Sequence, residues 1–310
     1  MNLRHIVRTN IRLNLDVIQA TLDCLDRDLE KSLIFAAISA ANVGHLDDDP
    51  ILAKQYVHAS LLSALRRPIP MQRVADSLGL PRETTRVKVR LLMDAGLVQR
   101  TTAGLLIPAE AMQAARFEPM MQRYLAAIDR AVERLAAAEC VGLTRGERLH
   151  PFPSVWDALR FISQHVLRGT VDLRFYTSPA SLLGSYLFLA MADATSSRFS
   201  EGPDILFADD DDAPPGWARA TISASALAAR LAMPRETVRR NLKALVEGGW
   251  LSQDRDGFGL LIGQSAEDRQ REQLVQERSR GDLNRLVRKL RSIGAIVRVG
   301  QSLADPAPST

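Results

Sequence analysis

The feature that most constrains the fold of this chain is an internal repeat at a spacing of 153 residues. Residues 69–101 align with residues 222–254 without a gap, and ten of the 33 pairs are identical, whereas ordinary amino-acid usage gives about two by chance. At the centre of the match, residues 80–97 read LPRETTRVKVRLLMDAGL and residues 233–250 read MPRETVRRNLKALVEGGW. A repeat at this spacing predicts two similar folding units in one polypeptide.

The similarity extends beyond this central segment. Residues 32–42 match residues 185–195 at the same spacing, and residues 128–135 match residues 283–290 at a spacing of 155. Two unrelated segments that share one common motif would not explain these flanking matches. Two tandem modules of ordinary domain size are therefore the simplest interpretation.

The expected joint between the modules is the segment GLTRGERLHPFPS at residues 142–154, where Gly, Pro and charged residues interrupt the helical pattern. This joint divides the chain into a first module over residues 1–145 and a second over residues 146–304. The final residues, 305–310, read DPAPST and are expected to be disordered.

Each module carries the pattern of two helices followed by a hairpin. A three-residue break separates the helices, with Pro81 or Pro234 placed to start the second one, and Gly96 or Gly249 provides a left-handed end. Two short apolar runs with a tight turn then predict a wing. The expected bounds are a helix-turn-helix at about 71–95 with a wing at about 97–107, and a helix-turn-helix at about 223–248 with a wing at about 250–262. The predicted fold class is mainly α, with two winged helix-turn-helix modules related by duplication and flanking packing helices.

The segments LGLPRETTRVKVRLLMDAGLVQR and LAMPRETVRRNLKALVEGGWL resemble the recognition segments of bacterial winged-helix transcription regulators of the MarR and GntR kind. The module layout resembles a MarR-type subunit most closely. MarR-type proteins usually work as dimers, so the resemblance implies two subunits fused into a pseudo-dimer that binds double-stranded DNA. One departure is that residues 207–221, FADDDDAPPGWARAT, replace the helix-like residues 54–68 of the first copy, which predicts a missing or differently docked helix in the second module.

The second helix of each pair is the predicted recognition helix. Helical spacing places Thr85, Val89 and Leu92 on its buried face in the first copy. The opposite face is expected to present its N-terminal side chains to base edges and its flanking ones to phosphates. The expected base contacts are Arg86, Arg239, Thr84 and Thr237, the expected phosphate contacts are Arg90 and Lys243, and the remaining candidate DNA-binding residues are Arg82, Lys88, Arg100, Arg235, Arg240, Asn241 and Arg255.

Two positions of this face differ between the copies. Lys88 corresponds to Asn241, and Val87 corresponds to Arg240. Lysine favours guanine and asparagine favours adenine in the major groove. The differences predict two unlike half-sites, about one helical turn apart, for the two recognition helices.

The charge distribution is compatible with a nucleic-acid partner. The net charge is only +4, but residues 66–100 carry eight basic against three acidic side chains, and residues 219–256 carry seven against four. A GC-rich genome that favours arginine explains the composition equally well. Charge alone therefore does not decide the function.

Several function classes lack their sequence signatures. Cys24 and Cys140 show no ligand spacing, the five histidines form no metal pattern, and the acidic run 209–212 has no EF-hand spacing. No glycine-rich phosphate loop or nucleophile motif is present. We expect no enzymatic activity, no metal and no cofactor. The absence of a signal peptide or a long apolar run predicts a cytoplasmic, nucleoid-associated protein with no membrane partner.

The sequence of the flanking helices does not decide whether the chain has protein partners. Leu15, Ile18, Leu22, Leu25 and Leu29 follow a heptad-like spacing, for which core packing is favoured over a coiled coil with a homodimer partner or another protein. Two rival functions remain at this stage. One is a plasmid-type replication initiator, and the other is a tandem winged-helix interaction subunit of a chromosome-organising complex, which needs no basic recognition face.

Overall fold

The computed structural model describes residues 3–56, 60–150, 155–177, 181–196, 220–261 and 266–298. In the first half the helices are α1 (Leu3–Cys24), α2 (Leu29–Val43), α3 (Pro50–Tyr56), α4 (Met71–Leu78), α5 (Arg82–Asp94), α6 (Ala109–Met112) and α7 (Glu118–Ala137). In the second half they are α8 (Val155–Tyr176), α9 (Leu182–Ser196), α10 (Ala224–Leu231), α11 (Arg235–Glu247) and α12 (Ala266–Ser292). The short strands are β1 (Gln99–Thr101), β2 (Gly104–Leu106), β3 (Glu147–Leu149), β4 (Leu251–Gln253), β5 (Phe258–Leu260) and β6 (Ile296–Arg298). The predicted mainly α class with winged helix-turn-helix units is confirmed.

The two winged units have matching element bounds. Helices α2, α4 and α5 recur as α9, α10 and α11 at a spacing of 153 residues. In each unit the two strands that follow form an antiparallel hairpin, with Arg100 opposite Leu105 and Gln253 opposite Phe258. These register pairs are also 153 residues apart. The repeat in the sequence therefore corresponds to a repeat of local structure.

A glycine at the same place in each wing allows a close approach of backbones. Gly104 has φ +142° and Gly257 has φ +143°, and a Cβ at either position would lie only 2.5 or 2.6 Å from the backbone of Ile69 or Ile222. Each of these isoleucines forms a β-bridge to the second strand of its wing. The hairpin is thus hydrogen-bonded to the residue that precedes the helix pair. A side chain at the glycine would separate the backbone of the hairpin from the backbone of this residue.

The heptad-like run of the N-terminal segment extends over two helices and the turn between them. Helix α1 ends at Cys24, and Asp26 and Arg27 have φ +55° and +56° in the turn before α2. All five apolar residues of the run are buried within one hydrophobic core. The spacing therefore reflects packing inside the chain, as favoured from the sequence.

The hydrophobic core continues from one half of the chain into the other. One cluster of buried apolar side chains extends from Ile6 to Ala295. Helix α1 packs against α7, α9 and α12, and α8 packs against α2, α7 and α12. Strand β3, within the expected joint, pairs antiparallel with β6, with Arg148 opposite Val297. Sequence reasoning did not anticipate this small sheet, because three-residue strands far apart in sequence leave little local signal.

Three expectations fall outside the described residues. They are the departure of the second module at residues 207–219, the acidic run 209–212, and the disordered tail 305–310. The module boundaries stay predictions. Among the described helices, none combines the length and the apolar character needed to cross a bilayer.

Candidate nucleic-acid interface

Helices α5 and α11 each present a row of cations away from the core. Thr85, Val89 and Leu92 are buried on α5, and Val238, Leu242 and Leu245 are buried on α11. Residues four apart lie on one side of a helix. The outward row on α5 is Arg82, Arg86 and Arg90, and the corresponding row on α11 is Arg235, Arg239 and Lys243.

The central arginine of each row is held by a glutamate one turn earlier. Arg86 donates to the Glu83 carboxylate from Nε at 2.8 Å and from Nη2 at 2.6 Å. Arg239 makes the same bidentate contact with Glu236, and its Nε donates to the carboxylate at 2.8 Å. These hydrogen bonds hold the pKa of Glu83 and the pKa of Glu236 below their usual values. The repeated RET-x-R sequence thus forms the same exposed Glu–Arg pair twice, which spacing alone did not predict.

Lys88 does not lie on the outward face. Its Nζ donates to Asp28 at 2.6 Å and lies 3.7 Å from Glu30, and its side chain is 22% exposed. Asp28 is also the N-cap of α2, where it accepts from the N–H of Lys31. Lys88 therefore fixes α5 against the start of α2, which corrects its expected placement on the DNA-facing side.

Asn241 occupies the equivalent inward position. Its Nδ2 donates to the Thr237 carbonyl at 2.9 Å, and its Oδ1 accepts from Ser181 Oγ at 3.2 Å. Ser181 precedes α9 as Asp28 precedes α2, 153 residues earlier. The difference between Lys88 and Asn241 therefore matches a difference in the helix start that each one contacts. It does not support the expected difference in base preference.

The other predicted residues divide between the helix edge and the wings. Thr84 and Thr237 are half-buried at the sides of their helices. Arg100 is exposed on β1. Arg255 is 93% exposed at the tip of the second hairpin, 3.9 Å from Asp256. Both arginines are accessible to a ligand, while Thr84 and Thr237 are less so.

One basic residue counted toward the positive charge of the first unit is internal. Arg66 is buried, and it donates to the Leu61 carbonyl at 2.9 Å and to Ser60 Oγ at 2.6 Å. Burial lowers the pKa of this guanidinium. Together with the inward Lys88, it reduces the exposed positive charge around α5 below the value expected from the sequence.

Two apolar side chains lie on the outward face of α5, and the sequence comparison singled out only Val87, as a difference between the copies. Val87 is 44% exposed and Leu91 is 47% exposed. The equivalent residues of α11 are Arg240 and Ala244, which are both exposed. Their signal in the sequence is an apolar pair at i and i+4 that is offset from the buried face.

A reciprocal pair of arginine contacts connects each winged unit to the other half of the chain. Arg174, on α8, donates from Nη1 to the carbonyl of Leu78 at 2.7 Å, at the end of α4. Arg27, before α2, donates from Nη2 to the carbonyl of Leu231 at 2.6 Å, at the end of α10. Each half of the chain thus caps the first helix of the other half's helix-turn-helix. The contacts restrain the position of one unit relative to the other.

The described part of the chain contains no group of three or more His, Cys, Asp or Glu side chains that could hold a metal ion. The surfaces around α5 and α11 instead offer guanidinium, ammonium and hydroxyl groups. Such groups are donors for phosphates and for base edges.

Part of the second winged unit is similar to a known family. Residues 216–255 match the IclR helix-turn-helix domain, and the structure describes this segment from residue 220 onward. No curated protein and no solved structure matches the chain. The matched segment includes α10, α11 and β4, the first strand of the second hairpin, and it ends before β5. The MarR and GntR resemblances stay predictions. Residues 216–255 are therefore similar to a helix-turn-helix DNA-binding domain of the IclR type, and this similarity supports sequence-specific DNA binding in a transcription regulator.

Proposed function

We propose that this chain binds duplex DNA through two recognition helices, α5 and α11, and acts as a bacterial transcription regulator. The observation that carries the proposal is the repeated outward surface of these helices. Each has three cations in a row at i, i+4 and i+8, and the central one is paired with a glutamate. The family match covers only the second unit, so the first unit is assigned by this likeness.

The proposed arrangement is a pseudo-dimer that arose by duplication within one chain. The recurrence of α2, α4 and α5 as α9, α10 and α11 supports this origin. The reciprocal contacts of Arg27 and Arg174 support a fixed separation of the two units. A fixed separation favours two half-sites about one helical turn of DNA apart, as in symmetric dimers of helix-turn-helix proteins.

Arg86 and Arg239 are the proposed base-reading residues. A guanidinium has five N–H donors, and the contact with glutamate uses Nε and one donor of Nη2. Other N–H donors of the guanidinium remain for a bidentate contact with O6 and N7 of guanine. The glutamate limits the rotamers of the arginine, which lowers the entropy lost when a base is bound.

The proposal extends to the nature and place of the activity. We infer binding without catalysis, in the cytoplasm and on the nucleoid, with further protein partners contacting the flanking helices. The support is the IclR-type match in the second unit, the matching element bounds of the first unit and the cationic surfaces on α5 and α11.

The test is the dependence of DNA affinity on salt and sequence. The full chain is used to select genomic fragments, and its affinity for a selected site and for unrelated DNA is measured from about 50 to about 500 mM salt, a range of about one decade. We expect Arg86→Ala and Arg239→Ala each to reduce the difference in binding free energy between the selected site and unrelated DNA by about 1–3 kcal/mol. We expect Arg90→Ala and Lys243→Ala each to lower the salt slope by about 1 with little loss of discrimination.

The matched control is Arg130→Ala on α7. Arg130 is an exposed arginine that pairs with Asp16 at 2.8 Å and lies outside both winged units. Its loss should therefore change neither the discrimination between the two DNAs nor the salt slope. If Arg86→Ala has no effect while Arg239→Ala does, only the second unit binds and the pseudo-dimer is wrong. Absence of DNA binding at low salt would favour the interaction subunit, and selection of repeated origin-like sites would favour the replication initiator.

A further inference from the structure

The outward faces of the two recognition helices differ in one row of side chains. On α5 the row beside the arginines contains Val87 and Leu91, which are 44% and 47% exposed. On α11 the same row contains Arg240 and Ala244. Single exposed apolar residues are common on protein surfaces. Here, however, two of them lie on one side of the helix and directly beside Arg86 and Arg90.

The positions that remain outward are the ones that can distinguish the half-sites. Lys88 and Asn241 contact the helix starts at Asp28 and Ser181. Arg86 and Arg239 make the same ion pair with a glutamate in both units. Among the pairs of residues that the sequence comparison singled out, Val87 and Arg240 are therefore the pair with both members exposed. Leu91 and Ala244 extend that difference by one helical turn.

We propose that Val87 and Leu91 contact the C5-methyl groups of thymines in the half-site bound by α5, and that Arg240 contacts guanine in the half-site bound by α11. This inference rests on the proposed function. The thymine methyl is the apolar group that the major groove presents, and apolar side chains recognise it by contact. Arginine in the equivalent place is suited to the acceptors of guanine.

The dimensions of a helix and of DNA agree with this assignment. Residues four apart are separated by about 6 Å along a helix axis, and stacked base pairs are separated by about 3.4 Å along one strand. Val87 and Leu91 therefore reach methyl groups roughly two base steps apart. Arg86 and Arg90 on the adjoining row are then near a base edge and the phosphate backbone of the same half-site.

Replacing thymine with uracil tests the contact, because uracil lacks only the C5-methyl group. The full chain selects its operator from a random duplex library. The half-site of α5 is identified as the half whose preferred sequence changes with the double variant Val87→Arg/Leu91→Ala. The operator is then made with deoxyuridine in place of thymine in one half at a time, and dissociation constants are measured at fixed salt.

For the wild-type chain we expect about fourfold weaker binding for each contacted methyl removed from the α5 half-site, and no change from uracil in the other half. The Val87→Ala/Leu91→Ala variant should bind the thymine and uracil forms equally. The reciprocal variant Arg240→Val/Ala244→Leu should acquire sensitivity to uracil in the α11 half-site. Because the substituted side chains are exposed, unchanged melting temperatures serve as the control for folding.

The outcomes separate this inference from the proposed function. Salt-dependent binding of DNA with equal affinity for thymine and uracil at every position overturns the inference and leaves the proposed function intact. In that case the apolar pair is assigned to contact with a protein. Failure of the wild-type chain to bind any duplex at low salt overturns the proposed function, and the methyl contact with it.

Discussion

Lys88 and Arg90 show how two cations on one helix serve different purposes. Lys88 contacts Asp28 at the start of α2, whereas Arg90 is exposed on the outward row. Lys88 is three residues after Thr85 and four before Leu92, so helical spacing places it next to the buried face. This spacing was the signal that could have identified Lys88 as an internal contact, but its charge favoured an outward placement.

Substitution of these two residues should have separable effects. Lys88→Met leaves Asp28 and Glu30 without their cation, so we expect the free energy of unfolding to fall by about 1 kcal/mol and the salt slope of DNA binding to stay unchanged. Arg90→Met should change stability by less than about 0.5 kcal/mol and lower the salt slope by about 1. Urea unfolding and salt-dependent binding measure the two quantities. An equal loss of slope in both variants would contradict the inward placement of Lys88.

His165 is a buried residue that should make stability depend on pH. Its Nε2 lies 2.8 Å from Asn10 Oδ1, and burial, followed by the charge of Arg168, lowers the pKa of His165 to about 3. An unfolded chain takes up the proton near pH 6.5, so the unfolded state binds more protons between these two pH values. Stability contributed by the neutral imidazole is therefore present above about pH 6.5 and is lost as the pH falls toward 3.

Between pH 7 and pH 5 we expect this histidine to reduce the free energy of unfolding by about 2 kcal/mol. His165→Gln removes the titrating group, so the variant should lose less stability than the wild type over the same interval. Carboxylates contribute equally to both proteins, and the difference between the two urea-unfolding series isolates the histidine. Parallel pH dependences for the two proteins would show that His165 is not held neutral.

At the scale of elements, the two hairpins depend on glycines that allow backbones to meet. A Cβ at Gly104 would lie 2.5 Å from the Ile69 carbonyl, and one at Gly257 would lie 2.6 Å from the Ile222 carbonyl. We expect Gly104→Ala and Gly257→Ala each to lower the free energy of unfolding by about 1–3 kcal/mol, which thermal or urea unfolding measures. Gly281→Ala in α12 is the control, since a Cβ there meets open space and should stabilise the helix by about 0.5–1 kcal/mol.

If Gly104→Ala proves as stable as Gly281→Ala, the close approach of the wing to Ile69 is wrong.

Local residues set the bounds of α5 and α11. Pro81 precedes α5, and Gly96 follows it with φ +70°. Pro234 and Gly249 do the same for α11. These local signals explain why both helices have the same length and carry their cations at the same positions.

At the scale of the whole molecule, both halves of the chain share one core. Helices α1 and α8 each pack against helices from both halves, and strand β3, in the expected joint, pairs with β6. A shared core predicts a single cooperative unfolding transition. Two independent domains would instead unfold separately.

The positions of the tryptophans allow a sharp test of this coupling. Trp250 packs against Phe188 in the second winged unit, while Leu92 is fully buried in the first winged unit. Trp156 packs against Tyr56 of the first half, so the test uses a Trp156→Phe background. Leu92→Ala removes core contacts and should cost about 2–5 kcal/mol. Because the core is shared, the tryptophan fluorescence transition in urea should shift together with the far-UV circular dichroism. A fluorescence midpoint that stays in place while the dichroism becomes biphasic would show independent domains.

Part of the candidate site follows from local sequence and part does not. The cationic rows of α5 and α11 follow from the spacing of buried residues such as Val89 and Leu242. The inward contact of Lys88 depends on Asp28, which is 60 residues away, and the burial of Arg66 depends on how the preceding turn folds over it. Side-chain direction at such positions is fixed by partners that periodicity does not reveal.

The sequence by itself determined the helix pairs, their wings and the repetition of both, because helix starts, helix ends and tight turns are specified by neighbouring residues such as Pro81 and Gly96. Only the tertiary structure decided which cations are outward and how the two units are connected. The reciprocal contacts from Arg27 to Leu231 and from Arg174 to Leu78 join residues 204 and 96 positions apart. Contacts at such separations arise from the packing of whole helices, which a local pattern does not encode.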